Sequence, residues 1–220
     1  MHSVFVTGAT GYMGWALIPA LLARGHAVSA LARAGSAARV PAGAKLVIGD
    51  ALDAASFTAA IAPADTLIHL VGTPHPSPTK AASFNSVDLR SVTAAVQAAG
   101  SAGIRHFIYV SVAQPAPVMA SYIAVRQAGE ALIRESRIPA TILRPWYVLG
   151  PGHRWPVVLQ PVYALMSCFA ATRASSQRLG LVTLAQMVSA LLASVERAPD
   201  GYCVMTVPEI RSAGASGLPE

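Results

Sequence analysis

Short, continuously apolar runs alternate along the whole chain with stretches whose apolar residues recur at helical spacing. The first run, Val4-Phe5-Val6, leads into a glycine-rich turn. Trp15, Leu17, Ile18, Leu21 and Leu22 then mark a helical face that Gly25 stops. Extended along the chain, the pattern predicts strands at Val4–Thr7, Ala27–Ala32, Lys45–Ile48, Thr66–Val71, His106–Val112, Ala140–Leu143 and Cys203–Val207. It predicts helices at Tyr12–Arg24, Ala54–Ile61, Ser83–Ala102, Ser121–Arg137 and Leu184–Arg197, with another inside Val157–Thr172. Gly25-His26 and Gly103-Ile104 read as helix ends passing into strands. Strands that are apolar at every position are buried on both faces, and their alternation with helices is the signature of a parallel sheet covered on both sides. Under the right-handed crossover rule, the expectation is an α/β fold with a doubly wound, seven-stranded, mostly parallel sheet.

Residues 1–210 are expected to form that single domain. The segment from about 153 to 181 carries Trp155, Val158, Tyr163, Leu165, Met166 and Phe169, and it follows the sixth strand. It is expected to fold over the crevice as a small C-terminal cap lining a modest apolar pocket. An apolar stretch of this kind also suits a subunit contact or a membrane surface. Residues 211–220, rich in Gly, Ser and Ala, are expected to form a flexible tail.

Composition narrows the function. Apolar residues make up 54% of the chain and charged residues only 12%, which fits a tightly packed domain and argues against disorder. The net charge of +6 comes from scattered Arg, with no basic stripe interleaved with aromatics, so nucleic acid is not an expected partner. A basic surface does suit attraction of a phosphorylated cofactor. Cys168 and Cys203 lie far apart in apolar surroundings and read as buried thiols of a reducing, cytoplasmic compartment. An N-terminus read as a core strand is not expected to serve as a cleaved signal peptide. The most membrane-like stretch, Pro156–Ala171, is interrupted by Gln160 and Pro161 and is too short for stable membrane insertion. The histidines at 2, 26, 69, 75, 106 and 153 show no metal-ligand spacing, so no metal is expected. The chain has no G-x-S-x-G elbow, which disfavours hydrolase chemistry. A small-molecule substrate and a monomer or homodimer are expected.

The turn Thr7-Gly8-Ala9-Thr10-Gly11-Tyr12-Met13-Gly14, between a strand and a helix, is the phosphate-binding end of a dinucleotide (Rossmann) fold. Its glycines let the backbone approach a pyrophosphate, and the N–H groups of the helix start face the anion. Gly8, Thr10, Gly11, Tyr12 and Met13 are therefore the candidate contacts. The second strand ends Ala30-Leu31-Ala32-Arg33, with a cation where an NAD-selective site carries a carboxylate; Arg39 adds a second charge. This favours NADP, with NAD as the alternative.

The chain resembles the short-chain dehydrogenase/reductase superfamily over roughly residues 1–207, in particular its atypical and extended, epimerase/dehydratase-like members. The matching motifs are the glycine turn, Gly49-Asp50-Ala51-Leu52-Asp53, His69-Leu70-Val71-Gly72, Tyr109-Val110-Ser111, and Leu143-Arg144-Pro145 with Gly150-Pro151-Gly152. The resemblance implies that Asp50 and the main chain at Ala51 bind the adenine amino group. It also implies that Val71, Gly72, Thr73 and Pro145 lie against the cofactor. Tyr122 and Arg126, four apart on one helix face, fall where the family has Tyr-x-x-x-Lys. There the tyrosine is the general acid toward a carbonyl, the cation holds the nicotinamide ribose and supports the tyrosine, and a serine, here Ser111, polarises the carbonyl. Arg126 in place of Lys keeps the charge but changes the geometry, and Asp88 stands where extended members carry Asn. Two readings follow. One is an NADP-dependent oxidoreductase, or epimerase, acting on a small carbonyl, quinone or sugar-like substrate. The other is a non-catalytic cofactor-binding redox sensor or assembly scaffold.

Overall fold

A computed structural model describes residues 1–73, 76–116, 118–151 and 179–215. The strands are β1 (Ser3–Thr7), β2 (Ala27–Ala32), β3 (Lys45–Ile48), β4 (Thr66–His69), β5 (His106–Val110), β6 (Ala140–Leu143), β7 (Tyr147–Leu149), β8 (Leu181–Thr183) and β9 (Tyr202–Met205). The helices are α1 (Tyr12–Ala23), α2 (Thr58–Ile61), α3 (Arg90–Ala102), α4 (Ala120–Glu135), α5 (Leu184–Glu196) and α6 (Val207–Ala215). A single turn at Ala81–Ser83 and a π-helical turn at Phe84–Leu89 run into α3. The main sheet has seven strands in the order β3-β2-β1-β4-β5-β6-β9, and every neighbouring pair is parallel. This is the expected doubly wound fold. The chain leaves β1 toward β2 and β3 on one side and returns to β4, β5 and β6 on the other. The topological switch point therefore lies between the C-terminal ends of β1 and β4.

Strand alternation sorts the core into two layers. Val4, Val6, Ile68 and Ile108 join Leu17, Ile18 and Leu21 of α1 and Met187 and Leu191 of α5 on one face of the sheet. Phe5, Leu67, Phe107 and Tyr109 join Phe57, Ile61 and the alanines of α3 on the other. Trp15, placed by its spacing on the apolar face of α1, instead points to solvent with 66% of its surface exposed.

Several boundaries differ from expectation. β4 and β5 stop at His69 and Val110, two residues early, because the chain then leaves the sheet to build the crevice loops. The helix expected at Ala54–Ile61 begins as a 3-10 turn, Ala54–Ser56, capped by the Asp53 carboxylate. β7 and β8, not foreseen, pair as a small second sheet. The last strand is Tyr202–Met205, and Val207 opens α6 instead of ending a strand. The tail expected from Arg211 therefore begins inside a helix. Val207 and Ile210 are buried, and the Arg211 Nε donates to the Leu181 carbonyl at 2.9 Å. Cys203 is exposed, not buried, because β9 is an edge strand. Cys168, the cap over 153–181, the helix expected within Val157–Thr172 and the last five residues of the tail lie outside the described residues, apart from the cap's final three. Among the described residues, no helix is long and apolar enough to cross a membrane, and no group of three His, Cys, Asp or Glu could hold a metal ion.

Candidate functional site

The glycine turn lies at the switch point. Gly8 adopts φ +75°, and a Cβ there would stand 2.8 Å from the Leu70 carbonyl carbon, so the β1 and β4 exits meet backbone to backbone. A Cβ on Gly14 would stand 2.5 Å from the Gly8 oxygen, which closes the helix onto the turn. Gly11, the N-cap of α1, is exposed and supplies no side-chain cap. Among the described residues, a Cβ on Gly11 would meet only the Gly8 oxygen, at 3.2 Å, so its other side is open to them. The helix start therefore presents N–H groups to a space that glycine keeps clear, the arrangement a pyrophosphate needs. Thr10, Tyr12 and Met13 are half-buried around it, and burial raises the Tyr12 phenol.

The other positions expected to face a cofactor lie along the same edge. Arg33 is exposed at the end of β2 and opens the 3-10 turn Ala34–Arg39, with its carbonyl held by the Ser36 hydroxyl. Among the described residues, neither Arg33 nor Arg39 forms an ion pair. Asp50, also exposed, turns one carboxylate oxygen to the Leu52 N–H at 3.0 Å, next to Ala51. The buried Pro145 accepts from the Ala113 N–H at 2.8 Å and ties the ends of β5 and β6 together.

Beyond β4, Val71 and Gly72 are half-buried, and Thr73 is buried against Asp88. The Arg126 guanidinium lies directly under Gly72, where a Cβ would stand 2.1 Å from Nη2. Arg126 is almost wholly buried and carries its charge on four contacts. Its Nε donates to the Tyr122 hydroxyl at 3.1 Å, and Nη1 donates to the Tyr109 hydroxyl and the Val110 carbonyl, both at 3.2 Å. Its Nη2 pairs with Asp88 Oδ1 at 2.7 Å. Burial works against the charge, but Tyr109, Tyr122 and Asp88 together hold the Arg126 pKa above its ordinary value. The half-buried Tyr122 ring packs on Phe84 at 5.1 Å. Under this cluster, burial and then Arg126 push the His69 imidazole down to about 3, so it is neutral between Thr7 and Ser91.

The structure thus brings together Gly72, Thr73, Tyr122 and Arg126. Among the described residues, the Ser111 side chain makes no hydrogen bond to any of these four. The Ser111 hydroxyl donates at 2.5 Å to Glu130, a buried carboxylate that also accepts from Gln114, from Arg144 in a two-point pair, and from the Tyr202 hydroxyl. Sequence reasoning passed over Phe84 and Glu130, and it quoted Tyr109 only as part of the motif that ends in Ser111. Only Glu130 left a sequence signal: it is a carboxylate four residues after Arg126, on the same face of α4. An open apolar hollow of about 1020 Å³, lined by Ala16, Leu149, Gly150, Thr183 and Val188, lies between α1 and β7–α5; no member of the Arg126 cluster lines it.

A doubly wound sheet with a glycine-bounded helix start at its switch point defines a dinucleotide-binding class of protein. The NAD(P)H-binding family profile matches residues 8–159, and the chain belongs to that family. It is 31% identical over 156 residues to a ceramide reductase of Caulobacter vibrioides, covering 68% of this chain and 47% of that protein. It is also 31% identical over 179 residues to a 3-diazoavenalumate denitrifying reductase of a Streptomyces species, covering 68% of this chain and 57% of that protein. The chain thus spans about half the length of these curated relatives. Its fold matches a short-chain dehydrogenase/reductase superfamily protein of Agrobacterium tumefaciens with bound NAD. The TM-score is 0.67 at 19% identity, over 99% of this chain and 84% of that one. These matches agree with the NAD(P)H-binding, doubly wound fold read from the motifs.

Proposed function

We propose that the chain binds NADPH at the switch point and reduces a small carbonyl or quinone, with Tyr122 as the proton donor. The observation that carries this reading is the 3.1 Å donation from Arg126 Nε to the Tyr122 hydroxyl oxygen, beneath Gly72. Because that oxygen accepts from a fixed cation, the phenol's own proton is directed away from Arg126 and toward the crevice. A donor held there meets the oxygen of a carbonyl as it gains negative charge. The glycine turn from Gly8 to Met13 holds the pyrophosphate, Asp50 and Ala51 the adenine, and Arg33 the ribose 2′-phosphate. Val71, Gly72, Thr73 and Pro145 border the nicotinamide end. When bound, the dinucleotide supplies the hydride. Tyr122 gives its proton to the substrate oxygen and regains one from water. Both curated relatives are named reductases, which supports the direction of the reaction.

One observation favours the second reading, a cofactor-binding sensor or scaffold. The Ser111 proton is donated to Glu130, so Ser111 does not serve as a carbonyl polariser in this arrangement. Titration calorimetry with NADPH and NADH, together with turnover of isatin and menadione, separates the two. The reductase reading expects NADPH to bind more tightly than NADH in wild type and Arg33→Ala to lose that preference. It also expects Tyr122→Phe to lower kcat about 100-fold with NADPH affinity unchanged. Tight NADPH binding without turnover of either probe overturns it in favour of the sensor.

A further inference from the structure

The family pattern is broken at two positions, Asp88 and Arg126, and the structure joins the two as one buried ion pair at 2.7 Å. We infer that Asp88 is a positioning residue. It fixes the Arg126 guanidinium so that Nε meets Tyr122, and it couples that contact to the loop after β4 at Gly72–Thr73. This inference rests on the reductase reading.

Three donors converge on the Asp88 carboxylate: the Thr73 N–H at 3.0 Å, the Thr73 hydroxyl, and Arg126 Nη2. A carboxylate has acceptor sites for all three and no proton to misplace, whereas an Asn has one acceptor oxygen and would turn its NH2 toward a donor. A carboxyl group at 88, with two acceptor oxygens, therefore suits the joint hold on Thr73 and Arg126 better than an amide does. The guanidinium in turn spends four of its five N–H groups inside the protein, on Tyr122, Tyr109, Val110 and Asp88. It has at most one left for a ribose. The cation of this site is therefore assigned chiefly to Tyr122, and its loss should be felt in kcat before cofactor affinity. The π-helical turn Phe84–Leu89 carries Asp88 into the cluster. It points both Phe84 and Asp88 inward, one onto the Tyr122 ring at 5.1 Å and the other onto Arg126.

The test is a kinetic cycle with NADPH and isatin on wild type, Asp88→Asn, Tyr122→Phe and the double variant. If Asp88 acts through Tyr122, Asp88→Asn lowers kcat about tenfold or more while the KM for NADPH stays within about twofold. In the Tyr122→Phe background the same substitution then adds less than about twofold. Equal losses in both backgrounds, or a KM change as large as the kcat change, mark a merely structural residue and overturn the inference. Should Asp88→Asn fail to fold, Thr73→Val removes one of the three donors and keeps the ion pair. It is expected to lower kcat about threefold in wild type and to have no effect in Tyr122→Phe. Failure of the underlying reading looks different: Tyr122→Phe itself would keep the wild-type rate. A Tyr122→Phe defect alongside a fully active Asp88→Asn overturns only the role of Asp88.

Discussion

At the scale of single residues, the site depends on atoms that leave no room for change. Gly72 covers the Arg126 guanidinium so closely that the Cβ of Gly72→Ala would stand 2.1 Å from Nη2 and 3.1 Å from Asp88 Oδ1. The guanidinium must move. Gly72→Ala is expected to cost about 1–3 kcal/mol of stability, as overpacking does. Steady-state kinetics should show kcat down about tenfold, and a wild-type rate would mean that Nη2 is free to relocate. Glu130 is the other vulnerable residue. It collects Ser111, Gln114, Arg144 and Tyr202 in a buried position, and its hydrogen bonds to Arg144 raise the guanidinium's pKa. Burial and then Glu130 also push the Tyr202 phenol up to about 12. Removing the carboxylate strands Arg144 and several donors at once. Urea unfolding of Glu130→Ala should show a loss on the order of 3 kcal/mol, whereas a loss below about 1 kcal/mol would show that water replaces the carboxylate.

At the scale of elements, α1 and α5 are held by opposite devices. Thr183 and Gln186 cap α5 reciprocally, and Thr183→Ala is expected to cost about 1 kcal/mol in thermal or urea unfolding. The N-cap of α1 has no such side chain, because Gly11 keeps the space open. Gly11→Val should therefore abolish NADPH binding by calorimetry while the fold persists; retained affinity would place the pyrophosphate elsewhere. The central strands were legible in the sequence because burial on both faces makes them continuously apolar, as at Val4–Thr7 and Thr66–His69. Strand ends were not, since Leu70 and Ser111 are as compatible with a strand as with a loop, and only the crevice decides. The Tyr122–Arg126 pair was legible from its four-residue spacing. Its partner Asp88, 38 residues away, and the π-helical turn that aims it carry no periodic signal. β7 and β8 are three-residue strands paired across a long separation, and α6 hides in a Gly- and Ser-containing segment. Pro208, next to the start of α6, is a helix-start signal that composition obscured.

At the scale of the whole molecule, the buried histidines set the response to acid. Burial, with Arg126 adding to it at His69 and His2 at His106, lowers their imidazoles to about 3 and about 4. An unfolded chain protonates the same groups near pH 6.5. Between those values the unfolded state binds more protons, so stability is full above about pH 6.5 and falls as pH drops toward 4. The loss between pH 7 and pH 4.5 should be about 2 kcal/mol per histidine, and His106→Gln should flatten the slope; an unchanged slope would mean that His106 titrates normally when folded. The central claim of the proposed function is that a hydride leaves a dinucleotide at this crevice for a carbonyl carbon. The most direct measurement is mass spectrometry of the product formed from isatin and NADPH fully deuterated at the nicotinamide reactive carbon. The account predicts a single deuterium at the reduced carbonyl carbon with wild type, and little or no product with Tyr122→Phe. A product without deuterium, or no product from a protein that binds NADPH tightly, would contradict it.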